Sequence, residues 1–131
     1  MIIFIFYVCY TCFYLDPFYI LGWFPLLEEF FLRMEKLVET LTKCGWQCEF
    51  PGGSYFLYTK APKGIQGSHT FSNAEDASQY LITEQAIVTV PWDDAGSFLR
   101  FSVTYVADDE AAEDALMAET EARLKDIPFE F

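Results

Sequence analysis

Apolar residues between positions 27 and 43 recur every three or four residues, which is the spacing of one face of an α-helix. Most of the glutamates in this segment fall on the opposite side. Lys43 suits the C-terminal end of the helix dipole, and Gly45 can supply the left-handed residue that ends a helix. The pattern therefore predicts an amphipathic helix over 27–43 with an inner face of Leu27, Phe30, Phe31, Met34, Leu37, Val38 and Leu41.

Two β-prone segments follow this helix, at 46–50 and 54–60. They are separated by Pro51, Gly52 and Gly53, an insert that is typical of a tight turn or of a backbone that approaches another group closely. After a loop over 61–71, Ser72 and Glu75 form a capping box for a helix over about 73–85.

Alternation is clearest in a predicted strand over 98–105, which follows a short strand over 87–90 and a turn over 91–96. It places Leu99, Phe101, Val103 and Tyr105 on one face, and Phe98, Arg100, Ser102 and Thr104 on the other. A last helix is predicted over 108–126, with acidic residues at its start and Pro128 after its end. This order of elements predicts an α+β fold, in which helices cover one face of a small sheet of about four short strands.

The first 30 residues form an apolar leader, and residues 31–131 form one domain. Asp16 is the only charged residue before Glu28. Residues 1–15 are too short to span a bilayer, and a longer span would bury Asp16 near its middle. No basic residue precedes the apolar run, so a signal peptide is not indicated. Three interpretations stay open: translated noncoding sequence, a weak membrane anchor over residues 1–27, or a structural leader.

Charge excludes one class of partner. The chain has 131 residues with a formal net charge of −12, and its 8 basic residues form no stripe. Because phosphate binding needs clustered Lys and Arg, nucleic acid is not expected to bind. The acidic residues near the C-terminus are expected to form a solvated helix face.

The cysteines stand at positions 9, 12, 44 and 48. Cys9 and Cys12 have no basic neighbour to help ionise them, so we expect no metal site and reduced thiols, as in a cytoplasmic protein.

His69, the lone histidine, has no evident nucleophile partner in the sequence, and we expect it to face solvent. Asp93 and Asp94 lie in a turn bounded by Pro and Gly and are expected to be turn formers. Arg100 on its strand could bind a carboxylate through two parallel hydrogen bonds, or it could form a structural salt bridge. The residues alone leave both open.

Three segments, taken in order and spacing, resemble the C-terminal small domain of class I/II (fold-type I) pyridoxal-phosphate-dependent aminotransferases. They are similar above all to enzymes like the LL-diaminopimelate aminotransferases, and the resemblance covers roughly residues 31–127. The segments are Pro51-Gly52-Gly53-Ser54-Tyr55-Phe56, then Asn73-Ala74-Glu75-Asp76 with Tyr80-Leu81-Ile82, and then Val90 to Gly96 running into Phe98-Leu99-Arg100-Phe101-Ser102.

The resemblance implies that Arg100 binds the α-carboxylate of an amino acid or 2-oxo acid substrate. It also implies that Gly52, Gly53, Trp92 and Asp93 lie near the mouth of the active site, and that the full-length parent is a homodimer. In this family pyridoxal phosphate is held by a lysine, an aspartate and phosphate-binding groups on a large upstream domain. No lysine of this chain lies in the family's Ser-x-x-Lys context, so the chain alone is expected to be inactive.

A second hypothesis is a non-catalytic α+β interaction module tethered to a membrane by its apolar N-terminus.

Overall fold

The computed structural model describes the backbone of residues 17–94 and 96–131, and the side chains of this range from residue 27 onward. The expectations for Cys9, Cys12, Asp16 and most of the apolar leader lie outside the described residues. The α+β class is confirmed. In chain order the elements are α1 (Pro17–Lys43), β1 (Phe56–Lys60), β2 (Gly64–Ile65), β3 (His69–Thr70), α2 (Ala74–Gln85), β4 (Val90–Trp92), β5 (Phe98–Ser102), α3 (Glu110–Leu124) and β6 (Phe129–Glu130).

Helix α1 ends where the sequence predicts and begins earlier than predicted, at Pro17. Gly45 has a φ of 84°, in the left-handed region. The backbone N–H of Gly45 donates to the carbonyl of Thr42, and that of Trp46 donates to the carbonyl of Leu41, both at 3.0 Å. This is the Schellman arrangement, which satisfies the last carbonyls of a helix because glycine tolerates a positive φ.

Strands β1, β5 and β4 form a three-stranded antiparallel sheet in that order, here called the central sheet. Its inner face presents Leu57, Thr59, Leu99 and Phe101, all buried. Strands β3, β2 and β6 form a second small antiparallel sheet, so the structure divides its strands between two sheets where the sequence predicted one. The sequence did not predict β2, β3 and β6, because strands of two residues are too short to show alternation.

The segment 46–50 was predicted as a strand, and this prediction is wrong. Only a single bridge, between Cys48 and Thr59, is formed there. The reason is that Trp46 completes the end of α1 and turns its indole into the core, where it contacts the rings of Phe101, Phe129 and Phe131 edge-on. Packing of one large side chain therefore overrides a local β preference.

The predicted strand 87–90 is displaced, and β4 begins only at Val90. The chain just before it is used to end α2: Ala86 has a φ of 52°, and the Ile87 N–H donates to the Leu81 carbonyl at 2.9 Å.

The predicted strand 98–105 ends at Ser102. There the Ser102 hydroxyl accepts a hydrogen bond from the backbone N–H of Thr104, a local contact that competes with continued pairing.

Helix α2 is capped one residue later than predicted. The side chain of Asn73, not Ser72, accepts from the backbone N–H of Asp76 at 2.9 Å. The Asp76 carboxylate in turn accepts from the backbone N–H of Ser72 at 3.0 Å. The predicted capping box of Ser72 and Glu75 is thus not formed. Asn73 is the N-cap, and Asp76 accepts from the residue before the N-cap, whereas a capping box requires it to accept from the N-cap itself.

One hydrophobic core joins the helices to the inner face of the central sheet. Helix α2 contacts β4 and β5, and α1 packs against α3. The largest fully buried core side chains are Met34, Leu41, Leu57, Leu81, Leu99, Leu124 and Val103. Within residues 17–94 and 96–131, no helix is both long enough and apolar enough to cross a bilayer.

Candidate carboxylate-binding site

The face of the central sheet opposite the core carries a guanidinium among aromatic side chains. Arg100 of β5 lies directly across from Tyr58 of β1 and Val90 of β4. On the same face, Phe56 pairs with Ser102, and Trp92 pairs with Phe98. We call this surface the outer face and define it by Phe56, Tyr58, Val90, Trp92, Phe98 and Arg100.

Strand alternation explains why these side chains share one face. Leu99 and Leu57 are fully buried on the core side, so their neighbours in sequence must point outward. Tyr58 is 44% exposed, and Val90 and Trp92 are each 40% exposed, while Arg100 is half-buried. An uncovered aromatic surface of this kind is typical of a binding or interaction site.

Two aromatic rings lie within cation–π distance of the Arg100 guanidinium. Its carbon lies 4.3 Å from the centre of the Phe56 ring and 5.8 Å from that of Trp92. Among the residues that the structure describes, no carboxylate lies within ion-pair distance of it. The structural salt bridge that the sequence left open is therefore not formed in this part of the chain.

The other arginines differ from Arg100. Arg33 pairs with Glu29 and Glu113, and Arg123 pairs with Glu119. Arg100 also sits on the middle strand of the central sheet, which is hydrogen-bonded on both sides. It is thus a positive group on a rigid element with donors left over for a ligand.

The structure brings only one of the predicted mouth residues, Trp92, against Arg100. The carboxylate of Asp93 accepts a hydrogen bond from the backbone N–H of Ala74 at 3.0 Å, so it is turned toward the start of α2. Gly52 and Gly53 are exposed, and a Cβ on either would meet open space. Their turn connects to the outer face through Tyr55, whose ring lies 4.3 Å from that of Phe56.

Phe56 and Tyr58 belong to the outer face, although the sequence did not single them out. Their alternation with the buried Leu57 and Thr59 is visible in the sequence. What the sequence lacks is the register that sets them beside Arg100, because pairing between strands about 40 residues apart follows from the whole fold.

No group of three metal-ligating side chains occurs anywhere in the described ranges. Burial raises the pKa of the Cys48 thiol to about 11, and burial together with Glu121 raises the pKa of the Cys44 thiol. Both are free thiols. His69 is exposed and lies beside the Ser68 hydroxyl at 3.3 Å. Raised thiol pKa values oppose the thiolate that metal binding requires.

Among the described lysines, two form ion pairs and two line a cavity that does not include Arg100. Lys36 pairs with Asp114, and Lys43 pairs with Glu39. Lys60 and Lys63 line a cavity of about 540 Å³ beside the start of α2, and Arg100 is not part of its lining.

Two solved structures that share this fold are described as aminotransferases. The chain superposes on an aspartate aminotransferase from Rhizobium meliloti with a TM-score of 0.60 and 20% identity, covering 76% of this chain and 26% of that enzyme. It superposes on Bna3p, a putative kynurenine aminotransferase from Saccharomyces cerevisiae, with a TM-score of 0.63 and 21% identity, covering 82% and 28%. The fold is that of one part of an aminotransferase.

In sequence, the chain is similar to LL-diaminopimelate aminotransferases. The chain is 41% identical over 104 residues to the LL-diaminopimelate aminotransferase of Methanococcus maripaludis, covering 76% of this chain and 25% of that enzyme. It is 40% identical over 112 residues to the LL-diaminopimelate aminotransferase of Methanocaldococcus jannaschii, covering 79% and 27%. No family model matches the chain.

In fold and in sequence, then, the chain corresponds to a part of an aminotransferase, similar to LL-diaminopimelate aminotransferases, and it spans about a quarter of the length of these relatives.

Proposed function

We propose that this chain contributes the carboxylate-binding side of an aminotransferase active site, with Arg100 binding the α-carboxylate of the amino acid and of the 2-oxo acid. One observation carries the proposal: the Arg100 guanidinium projects from the middle strand of the central sheet and has no carboxylate partner among the residues described.

A guanidinium suits this role because its donors lie in one plane and match the two oxygens of a carboxylate. The amino acid and the 2-oxo acid both carry this carboxylate next to the carbon at which the amino group is exchanged. One fixed arginine can therefore orient both substrates of amino-group transfer. Holding it on a strand limits the entropy lost when the substrate is positioned.

Pyridoxal phosphate supplies the electron-withdrawing chemistry of amino-group transfer when it is bound. Because Lys36 and Lys43 form ion pairs, and Lys60 and Lys63 line a cavity that does not include Arg100, we propose that the cofactor is held by parts of the parent enzyme outside this chain. The full-length parent is proposed to be a homodimer, and its substrates to be an amino acid and a 2-oxo acid. This chain on its own would then bind carboxylates without transferring amino groups.

The test is a chimera, in which residues 31–131 replace the matching quarter of the Methanocaldococcus jannaschii relative. We expect amino-group transfer from LL-diaminopimelate. Arg100→Lys should raise KM for the amino acid about tenfold or more, since an ammonium ion cannot form the bidentate pair.

The matched control is Arg123→Lys, the same change in an arginine whose ion pair with Glu119 is exposed. It should leave KM unchanged. A chimera in which Arg100→Lys behaves like Arg123→Lys would refute the role of Arg100. A folded chimera without any activity would favour the non-catalytic module.

A further inference from the structure

The Arg100 guanidinium lies close to one aromatic ring from each of the two strands that flank its own. Phe56 is on β1 and Trp92 is on β4, on opposite sides of β5. The guanidinium carbon lies over the Phe56 ring at 4.3 Å and over the Trp92 ring at 5.8 Å. Both distances are within the range of a cation–π interaction.

A guanidinium that stacks on aromatic rings presents its flat side to them, whereas its N–H donors point outward in its plane. We infer that Phe56 and Trp92 are positioning residues, which fix the plane of Arg100 and exclude water from its faces so that a carboxylate meets the donors edge-on. This inference rests on the proposed function, and it adds two residues to the binding machinery of that site.

The two rings are themselves held in place. The Trp92 ring meets the Tyr58 ring edge-on, at 6.3 Å between centres and 88° between planes. The Phe56 ring is supported by Tyr55 at 4.3 Å. Each aromatic ring therefore has a second aromatic contact that limits its rotation, as expected of a group that orients another.

The site also provides an internal control. Val90 is directly opposite Arg100 in the sheet and is as exposed as Trp92, at 40%, but it has no ring. Replacing Val90 changes the apolar area next to Arg100 without changing its ring contacts. Trp92 itself is exposed enough for substitution to leave the core intact.

The test is nuclear magnetic resonance of the Arg100 Nε–Hε group in the 131-residue chain, titrated with sodium acetate and, as the salt control, with sodium chloride. In the unaltered chain the Hε resonance should be shifted upfield by the rings, and it should move saturably with acetate alone. Trp92→Leu should remove part of the upfield shift and raise the acetate dissociation constant by about two- to fivefold, as expected for an exposed cation–π contact. Phe56→Leu should act in the same direction, while Trp92→Phe and Val90→Ala should keep both readouts near those of the unaltered chain.

Two failures have different meanings. If Trp92→Leu and Phe56→Leu leave the Hε position and the acetate affinity unchanged, the positioning role is wrong and the carboxylate role of Arg100 stands. If the upfield shift is present but no form of the chain responds to acetate more than to chloride, the carboxylate role is wrong, and the proposed function is lost with it.

Discussion

The guanidinium of Arg33 on α1 donates a hydrogen bond to the carboxylate of Glu113 on α3, 80 positions further along the chain. The same group donates to the backbone carbonyl of Tyr105 at 2.9 Å and lies 4.9 Å from the centre of the Tyr105 ring. The side chains of Arg33 and Glu113 are only 10% and 13% exposed. This pair joins α1 to α3, the first and last helices in the part of the chain that the structure describes.

Replacing Arg33 by Met should destabilise the chain by about 3 kcal/mol. The substitution keeps most of the apolar length but leaves the Glu113 carboxylate in a largely buried place, with Lys36 at 3.5 Å as a remaining cation. It also leaves the Tyr105 carbonyl without this donor. The free energy of unfolding in urea is the measurement.

Lys43→Met is the matched control, since the ion pair of Lys43 with Glu39 is exposed, at 54% and 68%. Exposed pairs contribute little, so Lys43→Met should leave the free energy of unfolding nearly unchanged. Equal effects of the two substitutions would show that the Arg33 pair is no more important than a surface contact.

Gly64 should not tolerate alanine, because a Cβ at this position would collide with the backbone carbonyl of His69 on the neighbouring strand β3. A clash with backbone cannot be relieved by rotating a side chain, and we expect Gly64→Ala to destabilise by about 1–3 kcal/mol. Gly52→Ala is the control. Its Cβ would meet open space, so the change should be neutral or stabilising by up to about 1 kcal/mol. Thermal unfolding of both variants shows whether each substitution lowers or raises the midpoint temperature. A Gly64→Ala chain as stable as the unaltered chain would contradict the close contact between β2 and β3.

Pyridoxal phosphate should bind this chain only as it binds any protein amine. Hydrogen bonds to Asp114 and Glu39 raise the pKa values of Lys36 and Lys43, respectively, and so keep these amines protonated, whereas covalent capture of the cofactor needs a neutral amine. We expect the visible absorption band of lysine-bound cofactor to be weak and to vary linearly with cofactor concentration. A saturable band that disappears in Lys60→Met or Lys63→Met would overturn the proposal that the cofactor is held outside this chain.

The sequence predicts those elements whose signal is local. The helical period, Lys43 and Gly45 locate the end of α1, and alternation around Arg100 locates β5 and its two faces. Trp46 is missed, because its burial depends on Phe129 and Phe131 at the other end of the chain. A local pattern does not contain contacts made across the whole fold.

The sequence likewise predicts only part of the candidate site. Arg100 could be chosen from the sequence, since its strand period fixes the face on which it lies. Its ring contacts could not, because Phe56 and Trp92 reach it only through the pairing of three strands. Family resemblance predicts Asp93 at the mouth of the site. In the structure its carboxylate accepts a hydrogen bond from the backbone N–H of Ala74, at the start of α2.

The Cys48 thiol should make the stability of the chain depend on alkaline pH. Burial raises its pKa in the fold to about 11, from an ordinary value of 9.0. The fold therefore favours the protonated thiol, and unfolding favours loss of the proton. The stability that this thiol contributes is complete below the ordinary value and is lost as the pH rises through about 11. Between pH 9.0 and about 11, the free energy of unfolding of the unaltered chain should therefore fall more than that of Cys48→Ala. The two free energies should converge or cross in this range. If their difference is the same on both sides of this window, the Cys48 thiol titrates as it does in the unfolded chain and is not protected by the fold.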